Sequence, residues 1–319
     1  MKQTPIEVAE QKTSYLSIEQ SYQLRGLAMI MIILSHLSQH LSLVYNIDIP
    51  LLIQGGSLGN SIFFFVSGYG MYMSMTRQKV LNARYLWLHL IKIIVPFVVA
   101  FVAALIGVAI MRDDYKWSAT LGHFFTMTLP YASAWFLKAI MMLYVFSFIA
   151  FKFSSRPNRR VLLVALFSLI YCVIGYYVGI GKWMYETVLN YSAGMFVAII
   201  QIKLNKVNWR VAFGTSFILF MILFVIYLKN PIPYVNRLLY GFFITMTLIY
   251  AFKILNRQSR ILRFVGINSI LFYLFHIGFL HVHYSPCIDS IVIIAVAIGL
   301  TLLYIQFKHY IDRFIMSIS

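Results

Sequence analysis

Residues 24–44 read LRGLAMIMIILSHLSQHLSLV, and this apolar stretch is the first of a series that determines the fold. Because an α-helix rises about 1.5 Å per residue, about 20 apolar residues cross a hydrocarbon core about 30 Å thick. The 319-residue chain is 61% hydrophobic and only 11% charged. Soluble domains carry about 25% charged residues. The sequence therefore predicts an all-α fold, a polytopic integral membrane helical bundle.

About ten such segments follow one another along the chain. We predict membrane helices over residues 24–44, 57–76, 86–111, 134–153, 160–179, 184–202, 209–228, 234–254, 261–283 and 286–307. The sixth segment is short and contains Glu186, Asn190 and Gly194, which predicts a kinked or partly buried helix. Residues 1–22 form a polar N-terminal segment, and residues 23–319 form one membrane domain.

The lysine and arginine residues predict how these helices are oriented. If the N-terminus is cytoplasmic, the cytoplasmic segments contain 18 of these residues and the outer loops contain five. Cytoplasmic loops of membrane proteins are enriched in Lys and Arg, so this asymmetry predicts that both termini are cytoplasmic. The same scatter over many loops explains the net charge of +17 and argues against a nucleic-acid partner, which would require one clustered basic face.

Two polar residues of the first segment, Arg25 and His36, are the strongest candidates for chemistry. They are eleven positions apart, and at about 100° per residue a helix places them on the same side. His40 follows one turn later on that side. In one interpretation Arg25 extends to the lipid headgroups and His36 bonds a neighbouring helix. In the other, His36 transfers protons, because histidine is suited to that near neutral pH.

Other segments contribute further candidates. His89 and Lys92 share a face near the predicted cytoplasmic end of the third helix, which suits a phosphate-bearing ligand or ordinary anchoring at the membrane surface. Trp135 fits the outer aromatic belt, and Lys138 can extend outward from one turn inside. Ser67 has no base nearby in the sequence.

The ninth segment is rich in histidine. His276 lies well inside it, whereas His281 and His283 lie near its predicted outer end. Two histidines resemble the beginning of a zinc site, but no carboxylate or cysteine completes the set nearby in the sequence. We therefore predict no metal.

With these residues in view, the chain from about residue 22 to 314 resembles the acyltransferase-3 family of bacterial integral membrane acyltransferases. The match rests on four motifs in order: Leu24-Arg25-Gly26 followed by His36; Phe63-Phe64 followed by Ser67-Gly68-Tyr69; Trp135-Phe136-Leu137 with Tyr144; and Ser269, Tyr273, Leu274 and His276. Relatives often carry two arginines at the start of the third helix, where this chain has His89 and Lys92.

The resemblance implies transfer of an acyl group, usually acetyl from cytoplasmic acetyl-CoA or another acyl-CoA, to a hydroxyl of a cell-surface or lipid-linked polysaccharide. It implies a multi-pass protein of the bacterial inner or plasma membrane, with the lipid bilayer, the glycan acceptor and polysaccharide assembly machinery as partners. His36 is then the general base or an acyl-carrying nucleophile. Arg25, with His89 and Lys92, is expected to hold the donor, and Arg25 is also a catalytic candidate that polarises the thioester.

We expect the acceptor to contact four side chains: Ser67, Trp135, Lys138 and His276. Two other functions fit the same residues. The first is a glycan transporter or flippase without covalent chemistry, since buried Arg and His also mark transport paths; the chain shows no inverted repeat, which is a frequent sign of transporters. The second is a scaffold in polysaccharide assembly with an inactive site.

Overall fold

A computed structural model describes residues 14–111, 115–229, 233–280 and 283–317, and most of these residues are α-helical. The helices of the described part are α1 Ile18–Tyr45, α2 Pro50–Thr76, α3 Ala83–Met111, α4 Thr120–Phe125, α5 Trp135–Phe153, α6 Pro157–Val178, α7 Asn190–Leu204, α8 Trp209–Lys229, α9 Pro233–Leu255, α10 Arg260–Ile267, α11 Ser269–Gly278 and α12 Pro286–Ser317. Two 3₁₀ turns, Trp117–Ala119 and Lys182–Met184, and a small antiparallel hairpin, β1 Thr128–Leu129 with β2 Ala132–Ser133, lie between them.

The prediction of a polytopic all-α membrane protein is confirmed. Eight helices in the described part of the chain are long and apolar enough to cross a membrane: α1, α2, α3, α5, α6, α8, α9 and α12. Each overlaps one of the predicted segments.

The other two predicted segments are helical but differ in form. The sixth is a 3₁₀ turn followed by α7, whose 15 residues are too few to span about 30 Å alone. The ninth is broken into α10 and α11, which meet at an angle of 74°. Counting that bent pair as one span raises the total for the described residues to nine.

Proline and glycine set several helix ends. Four helices begin at a proline, which lacks the N–H that a first helical residue would leave unbonded: α2, α6, α9 and α12. Helix α6 stops at Gly179, whose φ of 77° is in the left-handed region and whose N–H bonds the Tyr176 carbonyl.

The chain folds into two compact units, each assembled from distant segments. The first comprises Met1–Ile30, Ser57–Val80 and Phe146–Ile267. The second comprises Met31–Gly56, Leu81–Val145 and Asn268–Ser319. Helix α1 therefore contributes its first part, with Arg25, to one unit and its second part, with His36, to the other.

Glycines allow close helix crossings in the first unit. A Cβ on Gly26 of α1 would overlap the Leu262 carbonyl group of α10, and one on Gly266 would overlap the Tyr22 carbonyl group of α1. Close backbone contact of this kind is typical of membrane helix pairs with small residues at the crossing. Here each of the two helices contributes one glycine to the crossing, so the backbones of α1 and α10 are in direct contact.

The residues just before α1 are also held in the first unit. Ser14 and the Leu16 amide both bond the Tyr69 hydroxyl, at 2.9 and 3.2 Å. The buried ring of Tyr15 lies under the Lys253 ammonium, 3.7 Å from ring centroid to Nζ. Residues 14–17 of the predicted polar N-terminal segment are thus packed onto the helices.

In the second unit, α11 packs against α3 and α12. Helix α11 is almost fully buried, including its polar residues Ser269 and His276. A polar side chain at such a depth requires a hydrogen-bond partner, and the partner of His276 lies on α1.

Candidate active site

The centre of the second unit is a pair of hydrogen-bonded histidines. His36 Nδ1 on α1 lies 2.8 Å from His276 Nε2 on α11. The two rings are inclined by only 20°, and their centroids are 5.1 Å apart, too far for face-to-face contact. The imidazoles therefore meet edge to edge, with the hydrogen bond close to both ring planes, the geometry in which it is strongest.

The hydrogen bonds determine which nitrogens carry protons. His276 Nδ1 lies 2.7 Å from the Phe272 carbonyl oxygen. That oxygen only accepts, so Nδ1 of His276 is protonated and, in a neutral ring, its Nε2 is an acceptor. His36 Nδ1–H consequently donates to it. Neutral His36 then presents an unprotonated Nε2, which has no hydrogen-bond partner among the described residues.

Two serines fix the rotation of α1 around His36. Ser35 Oγ donates to the Ile53 carbonyl at 2.7 Å, and Ser38 Oγ donates to the Ile49 carbonyl at 3.1 Å. Gly56 leaves room for Ser35, because a Cβ there would lie 2.7 Å from its Oγ. These bonds tie α1 to the start of α2. We missed this role in the sequence, although serines on both sides of a membrane histidine were a visible signal.

Arg25 lies in the first unit, on the earlier part of α1. Its side chain is half-buried, and its Nε is fully buried with no hydrogen-bond partner in the described part of the chain. Gly70 of α2 lies beside it, and a Cβ there would make ordinary van der Waals contact with Arg25 Nη2 at 3.8 Å. A buried guanidinium N–H without a partner favours a ligand-binding role over simple extension to the headgroups.

The basic positions of the third helix lie in the second unit. His89 Nδ1–H donates to the Tyr85 carbonyl at 2.8 Å, and the His89 ring contacts the Tyr144 ring edge to face at 6.1 Å. Lys92, by contrast, is exposed. The structure thus places His89 against Tyr144, a residue of the third motif, and leaves the Lys92 charge accessible.

Ser67 lies on α2 in the first unit and is buried. The neighbouring glycine explains much of its motif: a Cβ on Gly68 would overlap the Tyr191 carbonyl group, and one on Gly194 would overlap the Phe65 carbonyl group. The motif therefore provides a close α2–α7 crossing. No hydrogen bond joins Ser67 to a histidine among the described residues.

Two further predicted residues, Trp135 and Lys138, lie at the start of α5. Trp135 is 8% exposed and packs on Phe136, 6.0 Å between ring centroids, so it is not an aromatic-belt residue, which would face the headgroup region. Lys138 is exposed, and its Nζ donates to the Thr126 carbonyl at 3.2 Å and to Ser133 Oγ at 3.3 Å. His276 of α11, also predicted to contact the acceptor, is the buried partner of His36.

One buried ion pair was not anticipated. Arg237 of α9 pairs with Glu186, and its guanidinium also donates to the Tyr227 hydroxyl from Nη2 at 2.5 Å. Glu186 Oε1 is buried with no partner among the described residues. A cavity of about 500 Å³ beside the pair is lined by Trp183 and Tyr176. The acidic residue of the sixth segment was the signal for this pair.

The expectation that no carboxylate accompanies the histidines near the start of the last helix is wrong. Asp289 lies 2.9 Å from His40 Nε2, and His283 stands beside them, its ring 5.6 Å from that of His40. His281 lies outside the described residues. Asp289 is an acidic residue within a predicted span, a signal that we did not use.

Among the comparisons with known proteins, one gave a match, to a family model. The model of the acyltransferase-3 family, described as an acyltransferase domain, matches residues 22–307. Comparison with curated proteins and with solved structures gave no match. The matched range includes both members of the histidine pair, Arg25 and the whole of α3.

Proposed function

This chain is a multi-pass membrane acyltransferase of the acyltransferase-3 family, and we propose that it transfers an acetyl group from cytoplasmic acetyl-CoA to a hydroxyl of a cell-surface or lipid-linked polysaccharide. We also assign it to the inner or plasma membrane of a bacterium, where such a donor and such an acceptor meet. The family model matches residues 22–307, which is nearly the whole chain. The acetyl donor, the glycan acceptor and the bacterial membrane are our own assignments and go beyond what the family match shows.

The observation that carries the proposal is the hydrogen bond between His36 Nδ1 and His276 Nε2, which directs the other ring nitrogen of His36, Nε2, to act as the base. In the proposed reaction this nitrogen removes the proton of the acceptor hydroxyl while the oxygen attacks the thioester carbonyl carbon. The carbon–sulfur bond then breaks. The coenzyme leaves as a thiolate and takes the proton from the His36 imidazolium, which restores the neutral base.

His276 is a positioning residue in this scheme. Its Nε2 accepts from His36 Nδ1–H, so it orients the ring and stabilises the positive charge that His36 acquires during the reaction. Its own Nδ1–H is held by the Phe272 carbonyl, which prevents the opposite tautomer. A single fixed tautomer keeps Nε2 of His36 ready for each turnover.

Basic residues are assigned to the donor. The buried Nε of Arg25 has no partner in the described part of the chain, which suits a planar guanidinium that binds a phosphate or the thioester carbonyl. Lys92 is exposed and offers a point charge for a phosphate, with His89 one turn before it. A lysine in place of an arginine replaces two-pronged binding by a single charge.

The free Nε2 would also serve His36 as a nucleophile that carries the acyl group briefly. Rapid quenching of the enzyme with labelled acetyl-CoA, without acceptor, separates the two mechanisms. The general-base mechanism predicts no label on the protein. Stoichiometric label that disappears in His36→Ala establishes the covalent mechanism instead.

The central experiment measures acyl transfer directly. Membranes containing the protein are incubated with acetyl-CoA labelled in the acetyl group, and both free thiol and alkali-labile label in the polysaccharide are recorded. We expect thiol and ester to form together in the wild type and to be lost in His36→Ala. The matched control is His309→Ala, which removes an exposed histidine of α12. Full activity in His36→Ala, or polysaccharide movement without thiol release in the wild type, would disprove the proposal.

A further inference from the structure

A second polar cluster lies in the same unit, where α1 ends and α12 begins. It contains His40 of α1, His283 just before α12 and Asp289 in the first turns of α12. Each offers one ligand atom, and these atoms all lie within 4.8 Å of one another. His40 and Asp289 are buried, with 6% and 0% of their surface exposed, whereas His283 is exposed.

Asp289 is held in position from both sides. Its Oδ1 accepts the backbone amides of Tyr284 and Ser285, at 2.8 and 3.3 Å. Its Oδ2 accepts from His40 Nε2 at 2.9 Å and from the Tyr45 hydroxyl at 2.7 Å. A buried carboxylate with this many donors keeps its orientation. Such rigid support is characteristic of the outer partners that hold metal ligands in place.

The residue types suit a borderline-soft divalent cation. Two imidazole nitrogens and one carboxylate oxygen are a common set of three protein ligands for Zn²⁺, with a water as the fourth. The anionic oxygen offsets part of the charge of the ion in this buried corner. Nothing in the proposed acyl transfer uses these three side chains.

Zinc binding requires only a small decrease in the distances between the ligand atoms. In a tetrahedral zinc site two ligand atoms are separated by about 3.3 Å. The His40–Asp289 contact of 2.9 Å is already close to that value. The larger separations, up to 4.8 Å, require His283 to move inward, and its exposed side chain has room to do so.

We propose that His40, His283 and Asp289 bind one Zn²⁺, which takes the place of the proton between His40 Nε2 and Asp289 Oδ2. The ion fastens the end of α1 to the start of α12. Tyr45 and the two backbone amides keep their bonds to the carboxylate and act as its outer support. The site is independent of the proposed acyl transfer, so either inference can fail without the other.

The test is zinc binding by the purified full-length protein, isolated without a polyhistidine tag and stripped of metal with a chelator. Zn²⁺ is titrated against a chromogenic chelator, and the bound metal is counted by elemental analysis. We expect one Zn²⁺ per chain and a rise in the unfolding temperature. His283→Ala is expected to weaken binding at least tenfold and to abolish that rise, while His309→Ala binds as the wild type does.

His283→Ala is the preferred variant because the side chain is exposed and its loss leaves the bonds of Asp289 intact. Asp289→Asn provides a second variant, with folding checked by gel filtration. The proposal is overturned if the wild type binds no stoichiometric Zn²⁺ or if His283→Ala binds it unchanged. It is also overturned if binding depends on His36 but not on His283, because the ion would then sit at the other histidine pair.

Discussion

Replacing His276 by leucine removes the acceptor of the His36 Nδ1–H bond and leaves that donor buried without a partner. The bond is 2.8 Å long, and His276 has no exposed surface. An unsatisfied buried donor costs about 1–3 kcal/mol, which corresponds to a loss of about 5- to 150-fold in rate when the bond is needed for the transition state. We expect kcat to fall by that factor, with KM for acetyl-CoA little changed.

The His36→Ala variant provides a reference against which the rate loss in His276→Leu can be judged. Loss of a general base lowers the rate by about 100- to 10,000-fold, so His36→Ala should be the more damaging change. If His276 acts only through His36, the double variant His36→Ala/His276→Leu should be no slower than His36→Ala alone. His276→Gln retains an acceptor oxygen and should recover part of the activity.

The assay is the paired measurement of thiol release and ester formation, with each variant checked for folding by gel filtration. Wild-type activity in His276→Leu would refute the assignment of His276 as a positioning residue. The assignment would also be refuted if the fold-loss in rate of the double variant equalled the product of the losses in the two single variants. Such a product is expected when two residues act independently.

Three further predictions concern the first unit. Gly26→Ala should lower the unfolding temperature strongly, because the added methyl would overlap a backbone carbonyl, whereas Gly214→Ala meets nothing within 4 Å and should not. Arg237→Ala should destabilise the protein by about 3 kcal/mol in denaturant unfolding, because it leaves Glu186 buried and unpaired. Arg25→Ala should raise KM for acetyl-CoA at least tenfold. A tenfold change corresponds to about 1.4 kcal/mol of binding free energy, and a hydrogen bond to a charged group contributes about 1.5–3 kcal/mol.

Each of these has an outcome that contradicts it. Equal unfolding temperatures for the two glycine variants would mean that the helices are not in backbone contact. A stability loss in Arg237→Ala that Glu186→Gln does not relieve would show that the pair is not the cause. If Arg25→Ala lowers only kcat and leaves KM unchanged, Arg25 does not bind the donor in its ground state.

The fold was largely predictable because the membrane imposes a simple rule on the chain. A helix must bury about 20 apolar residues in hydrocarbon, so segments such as 24–44 and 86–111 are visible without knowledge of their neighbours. This rule does not apply to helices that are surrounded by other helices and not by lipid. The polar residues of the sixth segment did predict a partly buried helix, and α7 is short and partly buried. The sharp bend at which α11 begins depends on packing that the local sequence does not encode.

The site was predictable only in part, for a related reason. Arg25 and His36 are conspicuous because polar residues are costly in an apolar span. The partner of His36 lies 240 positions away, and the carboxylate beside His40 lies 249 positions away. Pairings over such distances arise from tertiary packing. Asp289 and Glu186 were nevertheless visible as acidic residues in predicted spans, and treating them as paired groups would have anticipated both clusters.

The contact between Gly26 and Gly266 has a consequence for how this enzyme can be altered. Since main-chain atoms touch at this crossing, the depth of the neighbouring Arg25 along α1 is set by the backbone and not by surrounding side chains. Under the proposed role of Arg25 in donor binding, side chains near it can therefore be varied to change which acyl donor is accepted without shifting the guanidinium. The two glycines themselves are the positions that a library for new donors should leave untouched.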